Sequence, residues 1–413
     1  MKNVIKVNVR LWGDIIGAMT WDNASQVASF QFTQAYYAKP YNIQPTKPIK
    51  PLIPFNGIPG DKYSGLPPFI ADSLPDTWGS LVFDRWAREN GIHPKDCNPL
   101  LKLSYIGKRG LGAFEFEPDR NPGEDNFTTL ESLERIARRT FKERLDMVIS
   151  KDDKNDFNAL TQLGSQPGGA HSKILIAISD DEDKIMSGQV DTLDGYTQHI
   201  LKFKEDYSVP TSEIEYAYYI MAQETGIKMM PSRLIEINGQ KHFLTQRFDR
   251  KDGQKLLTQT MAALIPNATD YENLFFLCST LKLTDKEKSE LFRRMCFNIA
   301  SGNTDDHNKN FSFIMYPDGH WELAPAYDVT FTSNTWQNPN NGVHSLGVSG
   351  KRRFFSKEDL LRFGDDFEIA GYKQILDEVC NAVAQFPKIA ERCEVPSDWI
   401  NNISNILYSI FSE

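Results

Sequence analysis

Apolar and polar residues alternate at the beginning of the chain. The segments VIKVNVRLW, IIGAMTW and ASFQFTQAYY place apolar side chains at about every second position, which is the period of a strand with one buried face. A Gly-Asp pair separates the first two segments and marks a turn. The pattern therefore predicts a β-rich N-terminal region.

A helical period follows after a proline-rich loop, YNIQPTKPIKPLIPFNGIPG. In GLPPFIADSLPDTWGSLVFDRWARENG, Pro75 and Asp76 are expected to start a helix that runs to about Asn90 and stops at Gly91. The segment TLESLERIARRTFKERLDMV predicts a second helix, and the charged bridge SKDDKND leads out of it.

Glycine turns and β-runs return from about residue 157 to residue 260. Strands are predicted in GSQPGGAHSKILIAISDDED and YTQHILKFKED, and RLIEINGQKHFLTQRFDR predicts a hairpin that turns at Asn238-Gly239. Between them, TSEIEYAYYIMAQETG predicts a helix with Thr211 or Ser212 as N-cap and Gly226 as its stop. After residue 260 the pattern is mainly helical, so three regions are expected: 1–120, 121–260 and 261–413.

Composition narrows the function classes. The 413 residues carry a net charge of −9, which argues against a general nucleic-acid binder. Five cysteines, with no C-x-x-C pair among them, predict neither a disulfide framework nor a structural zinc site. No run of about 18 apolar residues suggests a membrane span, and the first residues lack the apolar core of a signal peptide. A cytoplasmic protein with no membrane association is therefore expected.

A polar run, GNTDDHNKNF, interrupts the apolar pattern at residues 302–311. Its Asp305 and Asn310 are five residues apart, the separation of Asp and Asn in the protein-kinase catalytic loop H-R-D-x-x-x-x-N, although a solvated turn explains the spacing equally well. Asp328 in LAPAYDVT follows FSFIMYPDGHWEL, where a kinase carries its magnesium-binding Asp. A Tyr-Asp pair that simply ends a strand is the alternative.

The β-rich part offers matching candidates for nucleotide binding. Lys202 stands in the apolar strand HILKF, where an unpaired ammonium is costly to bury. Its position predicts either a contact with phosphate or a strand-end lysine whose ammonium reaches water. Glu213 and Glu215 follow at the start of a helix, and either is able to pair with it. The glycines of GSQPGGAHSK suit phosphate binding, although the segment matches neither common phosphate-loop motif. A β-rich lobe followed by a helical lobe with an Asp/Asn loop is the layout of a kinase.

Two other classes of protein share part of this pattern. Asp-x-His pairs at 305/307 and 318/320 suggest a metallophosphoesterase, but the chain lacks the GDxxD element that such a site needs. A catalytically silent nucleotide-binding regulator that binds a partner is the other alternative.

Taken together, these motifs resemble the HipA-type serine/threonine kinases, the toxins of bacterial toxin–antitoxin pairs. The similar segments are GLPPFIADSLPDTWG, GGAHSK, HILKF, QRFDR, GNTDDHNKNF and LAPAYDVT, spread over most of the chain. The resemblance implies an α+β, protein-kinase-like bilobal fold of the HipA type. It would comprise a β-rich N-terminal subdomain, a nucleotide lobe with Gly-rich loop and hinge, and a mainly helical C-terminal lobe.

The resemblance also implies roles for individual residues and two cofactors, ATP and Mg²⁺. Asp305 would be the base for the acceptor hydroxyl, and Asn310 and Asp328 would hold magnesium, whereas Asp306 is given no role. For the nucleotide, Lys202 would contact the α/β-phosphates with Glu215 as its pair, and His307 would contact phosphate or brace the loop. Asp249 would contact the ribose or form a structural ion pair. The remaining implied nucleotide-binding residues are Gln246, Arg247 and Phe248 in the hinge and Gly168, Gly169 and Ala170 in the Gly-rich loop.

Regulation and partners are likewise implied by the resemblance. Ser165 is the candidate for an inhibitory autophosphorylation, with Ser172 as a second choice. The expected partners are a protein substrate, such as an aminoacyl-tRNA synthetase, and a helix-turn-helix antitoxin of the HipB type that links the chain indirectly to DNA. The segment LTQTMAALIPNATDYENL departs from the family's usual stretch after the hinge, which puts that segment's contacts in doubt.

Overall fold

The computed structural model describes residues 5–47, 50, 53–120, 129–143, 171–182, 184–188, 194–333 and 342–411. Within that part of the chain, no helix combines the length and apolar character needed to cross a membrane. The chain divides into two compact units. The first consists of Met1–Asp206, Ile235–Gln259 and Ile314–His320, and the second of Tyr207–Leu234, Thr260–Phe313 and Trp321–Glu413.

An antiparallel sheet begins the first unit, as the alternating pattern predicts. Its strands are β1 (Lys6–Leu11), β2 (Asp14–Asp22), β3 (Val27–Phe32), β4 (Phe55–Asn56) and β5 (Phe114–Glu117), in the spatial order β4-β3-β2-β1-β5. Val7, Val9 and Leu11 of β1 are buried, because side chains two residues apart lie on the same face. The helices that follow are α1 (Pro68–Ala71), α2 (Thr77–Glu89), α3 (Pro99–Ile106) and α4 (Leu130–Glu143), with short 3-10 helices at Gln34–Ala38 and Pro94–Asp96.

A second sheet in this unit carries Lys202. Its strands are β6 (Lys173–Ser179), β7 (Ile185–Ser187), β8 (Tyr196–Lys202), β9 (Ser232–Ile237) and β10 (Gln240–Gln246), in the order β7-β6-β8-β10-β9. Asn238 and Gly239 connect β9 to β10 with φ values of 51° and 69°. A tight hairpin turn needs such left-handed residues, so the predicted hairpin is confirmed.

One hydrophobic core joins the first helices to this second sheet. Trp78 and Val82 of α2 and Leu133 and Ile136 of α4 belong to the same buried cluster as the strand residues Ile174, Ile176, Ile178, Leu201 and Leu244. The predicted boundary at residue 120 therefore separates two stretches that lie within one compact unit.

A buried ion pair adds a polar connection between α2 and β6. Asp76 is the N-cap of α2, as predicted, and accepts a hydrogen bond from the Gly79 amide at 2.6 Å. Its Oδ2 also lies 2.6 Å from the Nζ of Lys173, and both side chains are almost fully buried. The Trp78 indole N–H donates to the Lys173 carbonyl at 2.9 Å. The sequence motifs SLPDTWG and GGAHSK thus meet at Lys173.

The second unit is mainly helical. Its helices are α5 (Thr211–Glu224), α6 (Met261–Leu264), α7 (Tyr271–Thr280), α8 (Asp285–Ala300), α9 (Lys357–Asp366), α10 (Tyr372–Val383), α11 (Phe386–Arg392) and α12 (Ser397–Ser409). The remaining strands of the chain are β11 (Arg250–Lys251), β12 (Gln254–Lys255), β13 (Leu257–Thr260), β14 (Ser312–Met315) and β15 (Trp321–Leu323).

The predicted helix at Thr211 is confirmed, but its predicted N-cap is wrong. Pro210 occupies the N-cap position without a side-chain cap, and Thr211 is already helical. The Thr211 amide donates to the Val209 carbonyl at 2.8 Å, which leaves Thr211 as the first helical residue rather than the cap. The predicted stop is correct, since Gly226 follows the C-cap with φ +84°.

Replacing Asp76 with Asn tests the buried ion pair. Asn still caps a helix, but it removes the charge that compensates the buried Lys173 ammonium. We expect the free energy of unfolding in urea to fall by about 3–5 kcal/mol. Asp14→Asn, which removes the exposed partner of Lys39, is the control and should cost less than about 1 kcal/mol. Equally small losses in both variants would contradict the assignment.

Candidate active site

The polar run 302–311 connects α8 to β14 in the second unit. Helix α8 begins with a capping box formed by Thr284 and Glu287, and it ends at Ser301. Gly302 then turns the chain with φ +65°, and a Cβ at this position would lie 3.2 Å from the Ser333 Cβ. A left-handed turn so close to its neighbour explains the glycine that precedes the loop.

The main chain of Asp305 is held on both sides, whereas its side chain is exposed. The Asp305 amide donates to the Thr332 hydroxyl at 3.0 Å, and its carbonyl accepts from the Asn310 side-chain amide at 2.8 Å. Half of the carboxylate side chain is solvent-accessible, and the His307 Nε2 lies 3.9 Å from Oδ1. The loop therefore presents a fixed carboxylate to solvent.

Asn310 and Asp328 line the same small cavity, of about 20 Å³. Because the Asn310 amide nitrogen donates to the Asp305 carbonyl, its oxygen is the atom suited to bind a cation. Asp328 has a left-handed backbone with φ +52°, a strained conformation that is common at functional sites. A carboxylate and an amide oxygen are ligands that Mg²⁺ accepts.

The rest of the cation's coordination would come from water and substrate. Within the described residues, no group of three His, Cys, Asp or Glu side chains is placed to hold a metal. Magnesium is usually bound by one or two protein oxygens together with water and substrate phosphates. The residues present therefore fit Mg²⁺, and the site resembles a phosphate-dependent one more than a dedicated metal cage.

A buried tyrosine supports the loop from behind. The Tyr218 hydroxyl on α5 donates to the Ser301 carbonyl at 2.5 Å. Burial raises the pKa of Tyr218 well above its ordinary value, so this hydroxyl remains a donor. Helix α5 also carries the half-buried Glu215 and the buried Glu213, which belong to the second unit.

Lys202 belongs to the first unit, at the end of β8. In the sheet it lies opposite Lys173 of β6 and Phe243 of β10. Its Nζ is 5.8 Å from the centre of the Phe243 ring. The implied contact of Lys202 with phosphate and its pairing with Glu215 stay predictions.

The predicted hinge follows β10. Gln246 ends the strand opposite His199, and the Arg247 amide donates to the Gln198 carbonyl at 2.9 Å. This amide is therefore committed to the sheet. The implied main-chain hydrogen bonds of Gln246 and Phe248 to adenine stay predictions.

Asp249 forms the structural ion pair that was the alternative to a ribose contact. Its two oxygens accept from the Arg247 Nε and Nη2 at 2.9 and 2.8 Å, and Oδ2 also accepts from the Arg250 Nη1 at 2.8 Å. The Gly112 amide donates to Oδ2 as well. Burial alone would raise the pKa of Asp249, but the two arginines and these hydrogen bonds outweigh burial and hold the pKa below its usual range.

The same arginines bind main-chain carbonyls at the end of β7 and in the N-terminal region. Arg247 Nη1 donates to the Gly188 carbonyl at 2.9 Å, and Arg250 donates to the carbonyls of Gly112 and Gly110 at 3.0 and 3.1 Å. Arg247, Asp249 and Arg250 thus join residues 110–112 to the predicted hinge. The implied roles of Arg247 and Asp249 in nucleotide binding stay predictions.

Several predicted residues lie outside the part of the chain that the structure describes, namely Ser165, Gly168, Gly169 and Ala170. Ser172, the second choice for autophosphorylation, is described and completely buried. Its amide donates to the Glu205 carboxylate. A fully buried hydroxyl is a poor phosphate acceptor, so Ser172 is set aside.

Sequence reasoning missed three structurally important residues: Asp306, Asp76 as the partner of Lys173, and Lys173 itself. Asp306 is completely buried and accepts hydrogen bonds from distant residues such as Tyr271 and His344. The only available signal was the adjacency of two acids in one loop, which gave no means of telling the buried acid from the exposed one.

Two family models and several known proteins match this chain. The family model for the HipA-like C-terminal domain matches residues 165–386, and that for the HipA N-terminal domain matches residues 7–117. The chain is 26% identical over 356 residues to Y4mE of Sinorhizobium fredii (strain NBRC 101917 / NGR234), covering 79% of this chain and 77% of that protein. It is 21% identical over 345 residues to the serine/threonine-protein kinase toxin HipA of Shewanella oneidensis, covering 77% and 73%.

A solved structure supports the fold. It is the Shewanella oneidensis MR-1 complex of HipA, HipB and operator DNA, which matches with a TM-score of 0.67 at 16% identity and covers 98% of this chain and 96% of that one. At this identity the likeness concerns the fold alone, and it confirms the predicted kinase-like architecture of mixed sheets and helices.

Replacing Asp249 with Asn separates the ion-pair role from a ribose role. The change leaves the buried guanidinium of Arg247 without its charged partner, so the nucleotide-free protein should lose about 3–5 kcal/mol in urea unfolding. The control is Glu115→Gln, which removes the partly exposed partner of Lys255 in the same unit and should cost less than about 1 kcal/mol. Unchanged stability together with weaker ATP binding would favour the ribose role instead.

Proposed function

This chain belongs to the HipA-like family, and on that premise we propose that it is an ATP-dependent serine/threonine protein kinase of the HipA toxin type. The observation that carries the proposal is the loop geometry: the main chain fixes an exposed Asp305 carboxylate, and the Asn310 side chain that helps to fix it also lines a cavity with Asp328. A base beside two magnesium ligands is the minimum that phosphoryl transfer to a hydroxyl requires.

The reaction follows from these positions. The hydroxyl oxygen of a substrate Ser or Thr attacks the γ-phosphorus of ATP, the bond from that phosphorus to the ADP oxygen breaks, and the hydroxyl proton passes to Asp305. Asn310 and Asp328 would hold Mg²⁺, which when bound neutralises charge on the phosphate oxygens. The exposure of Asp305 lets a protein substrate approach it.

The proposed nucleotide-binding residues are those that the family resemblance implies. Lys202 would contact the α/β-phosphates and pair with Glu215, and His307 would lie at phosphate or brace the loop. The main chain of Gln246 and Phe248 would bind adenine, and the amides of Gly168, Gly169 and Ala170 would cover the phosphates. These roles are supported by the family resemblance and by the position of Lys202 at the end of a sheet strand.

Partner and substrate are proposed from the relatives. Because the solved Shewanella oneidensis complex contains HipB and operator DNA, we assign to this chain a helix-turn-helix antitoxin of the HipB type, with DNA contacted through it. The protein substrate would carry a Ser or Thr on a translation enzyme such as an aminoacyl-tRNA synthetase. Autophosphorylation at Ser165 would switch the enzyme off, and the cytoplasm is the proposed location.

Incorporation of labelled phosphate from ATP tests the activity without knowledge of the substrate. Asp305→Asn should lower incorporation into the protein itself by about 10²- to 10⁴-fold, because the base is lost. Asp318→Asn is the charge-matched control. It removes an exposed acid that bonds only locally to His320, and it should leave incorporation unchanged.

The result also separates the two candidate functions. The protein is treated with phosphatase beforehand, so that a phosphate already present at Ser165 does not block the assay. If the treated wild type binds ATP with magnesium but takes up no label, the chain is a silent nucleotide-binding regulator and the kinase proposal is rejected.

Asp328→Asn tests the magnesium assignment. The amide replaces an anionic ligand by a neutral one, so half-maximal incorporation should require more Mg²⁺ than in the wild type. The measurement is a magnesium titration at fixed ATP, with Asp318→Asn as the control. An identical titration curve for Asp328→Asn and wild type would remove Asp328 from the site.

A further inference from the structure

The second acid of the loop has an environment opposite to that of the first. The Asp305 side chain is 52% exposed, whereas the Asp306 side chain is 0% exposed. An ionised carboxylate without water around it is stable only when hydrogen-bond donors surround it. The donors around Asp306 therefore indicate what this residue does.

Four donors from two distant segments surround Asp306. Oδ2 accepts from the Tyr271 hydroxyl at 2.7 Å and lies 2.9 Å from the His344 Nδ1. Oδ1 accepts from the main-chain amides of Ser345 and Leu346 at 2.8 and 3.3 Å. Asp306 is thus a buried acceptor for residues nearly forty positions further along the chain.

Tyr271 connects Asp306 to further hydrogen bonds within the second unit. The Tyr271 hydroxyl also accepts from the Asn298 side-chain amide at 3.1 Å, and the Asn298 oxygen accepts from Asn303 at 2.9 Å. Asn303 directly precedes Thr304 and Asp305, so helices α7 and α8 and the loop share one hydrogen-bond network. Such a network is rigid when all its members are satisfied.

The other side of the contact is a segment that is fixed at several points. The Ser345 amide also lies 3.0 Å from the Thr304 carbonyl. From the opposite side, Arg352 donates its Nε to the His344 carbonyl and its Nη2 to the Ser345 carbonyl, each at 2.8 Å. The main chain of residues 344–346 is therefore bound by the loop on one side and by Arg352 on the other.

The position of residues 344–346 in the chain corresponds to a regulatory element of protein kinases. This segment follows Asp328, and protein kinases carry their activation segment after the magnesium-binding Asp. In those kinases the segment is often ordered by phosphorylation, through new pairs between arginine and phosphate. In this chain an internal carboxylate, adjacent to the proposed base, provides the anionic acceptor.

We propose that Asp306 is a positioning residue that holds residues 344–346 in the active arrangement, so that the enzyme needs no phosphorylation of this segment. The inference rests on the proposed kinase function. Asp305 and Asp306 then have different roles in the loop. The exposed Asp305 accepts the proton of the substrate hydroxyl, and the buried Asp306 holds residues 344–346 beside it.

Hydrogen exchange tests the anchor without reference to kinase activity. In the wild type, the amides of Ser345 and Leu346 should be protected in the absence of nucleotide. In Asp306→Asn they should exchange at least about tenfold faster, because the charged acceptor is lost. The control is Asp305→Asn, which removes the same charge one residue earlier and should leave both amides protected. Amides of α8 report whether each variant remains folded.

A milder variant covers the case in which Asp306→Asn does not fold. Tyr271→Phe removes one donor to Asp306 and keeps the aromatic packing, and it should speed exchange at Ser345 and Leu346 by a smaller factor. Rapid exchange of both amides in the folded wild type, or equal exchange in wild type and either folded variant, would overturn the proposal.

A kinetic assay tests the claim that the enzyme needs no phosphorylation of residues after Asp328. In the labelled-ATP assay, wild-type protein that mass spectrometry shows to be free of phosphate should incorporate label without a lag. Asp306→Asn should lower the initial rate at saturating ATP more than it raises the ATP concentration that gives the half-maximal rate. A lag that ends when residues after Asp328 become phosphorylated would overturn the proposal. If no variant transfers phosphate but the exchange pattern is as expected, the kinase function fails while the anchor stands.

Discussion

An ionised carboxylate is costly to bury, and three of them shape this protein. Asp76, Asp249 and Asp306 each lie inside the fold, and each accepts a hydrogen bond or ion pair from a distant part of the chain: Lys173, Gly112 and residues 344–346, respectively. Because an unpaired buried charge would destabilise the protein, each carboxylate requires its partners to be in place. These contacts therefore fix the relative positions of segments that hydrophobic packing alone would leave adjustable.

Each buried acid lies at a point that matters for the proposed chemistry. Asp76 holds Lys173 at the beginning of β6, directly after the Gly-rich stretch, and Asp249 joins the end of the hinge to Gly112. Both contacts bring N-terminal residues to the sheet that carries Lys202, and the β-rich N-terminal region and that sheet lie in one compact unit. In the second unit, Asp306 binds the polar loop 302–311 to residues 344–346.

The exposed polar residues of the site complement this framework. Asp305 is exposed, and Asn310 and Asp328 line a small cavity. The Thr332 hydroxyl and the Asn310 side chain bind the main chain of Asp305, and Asp328 has a left-handed backbone. The exposed carboxylate thus stands on a main chain that its neighbours hold in place.

The sequence by itself determined the local elements and the family resemblance. Two-residue alternation predicted the first strands, and Asp76 and Asn238-Gly239 marked a helix start and a hairpin. The Asp305–Asn310 spacing with Asp328 predicts a catalytic loop, which stays a prediction. These features are local, since periodicity, caps and turns depend on residues within a few positions. Only the tertiary structure decided that Asp249 serves an ion pair, that Ser172 is buried and that Asp306 anchors residues 344–346. Asp249 pairs with its neighbours Arg247 and Arg250, but its burial and its contact with Gly112 depend on the fold. For Ser172 and Asp306 the contacting residues lie far away in sequence. A charged residue looks the same in a sequence whether its donors are water or the protein.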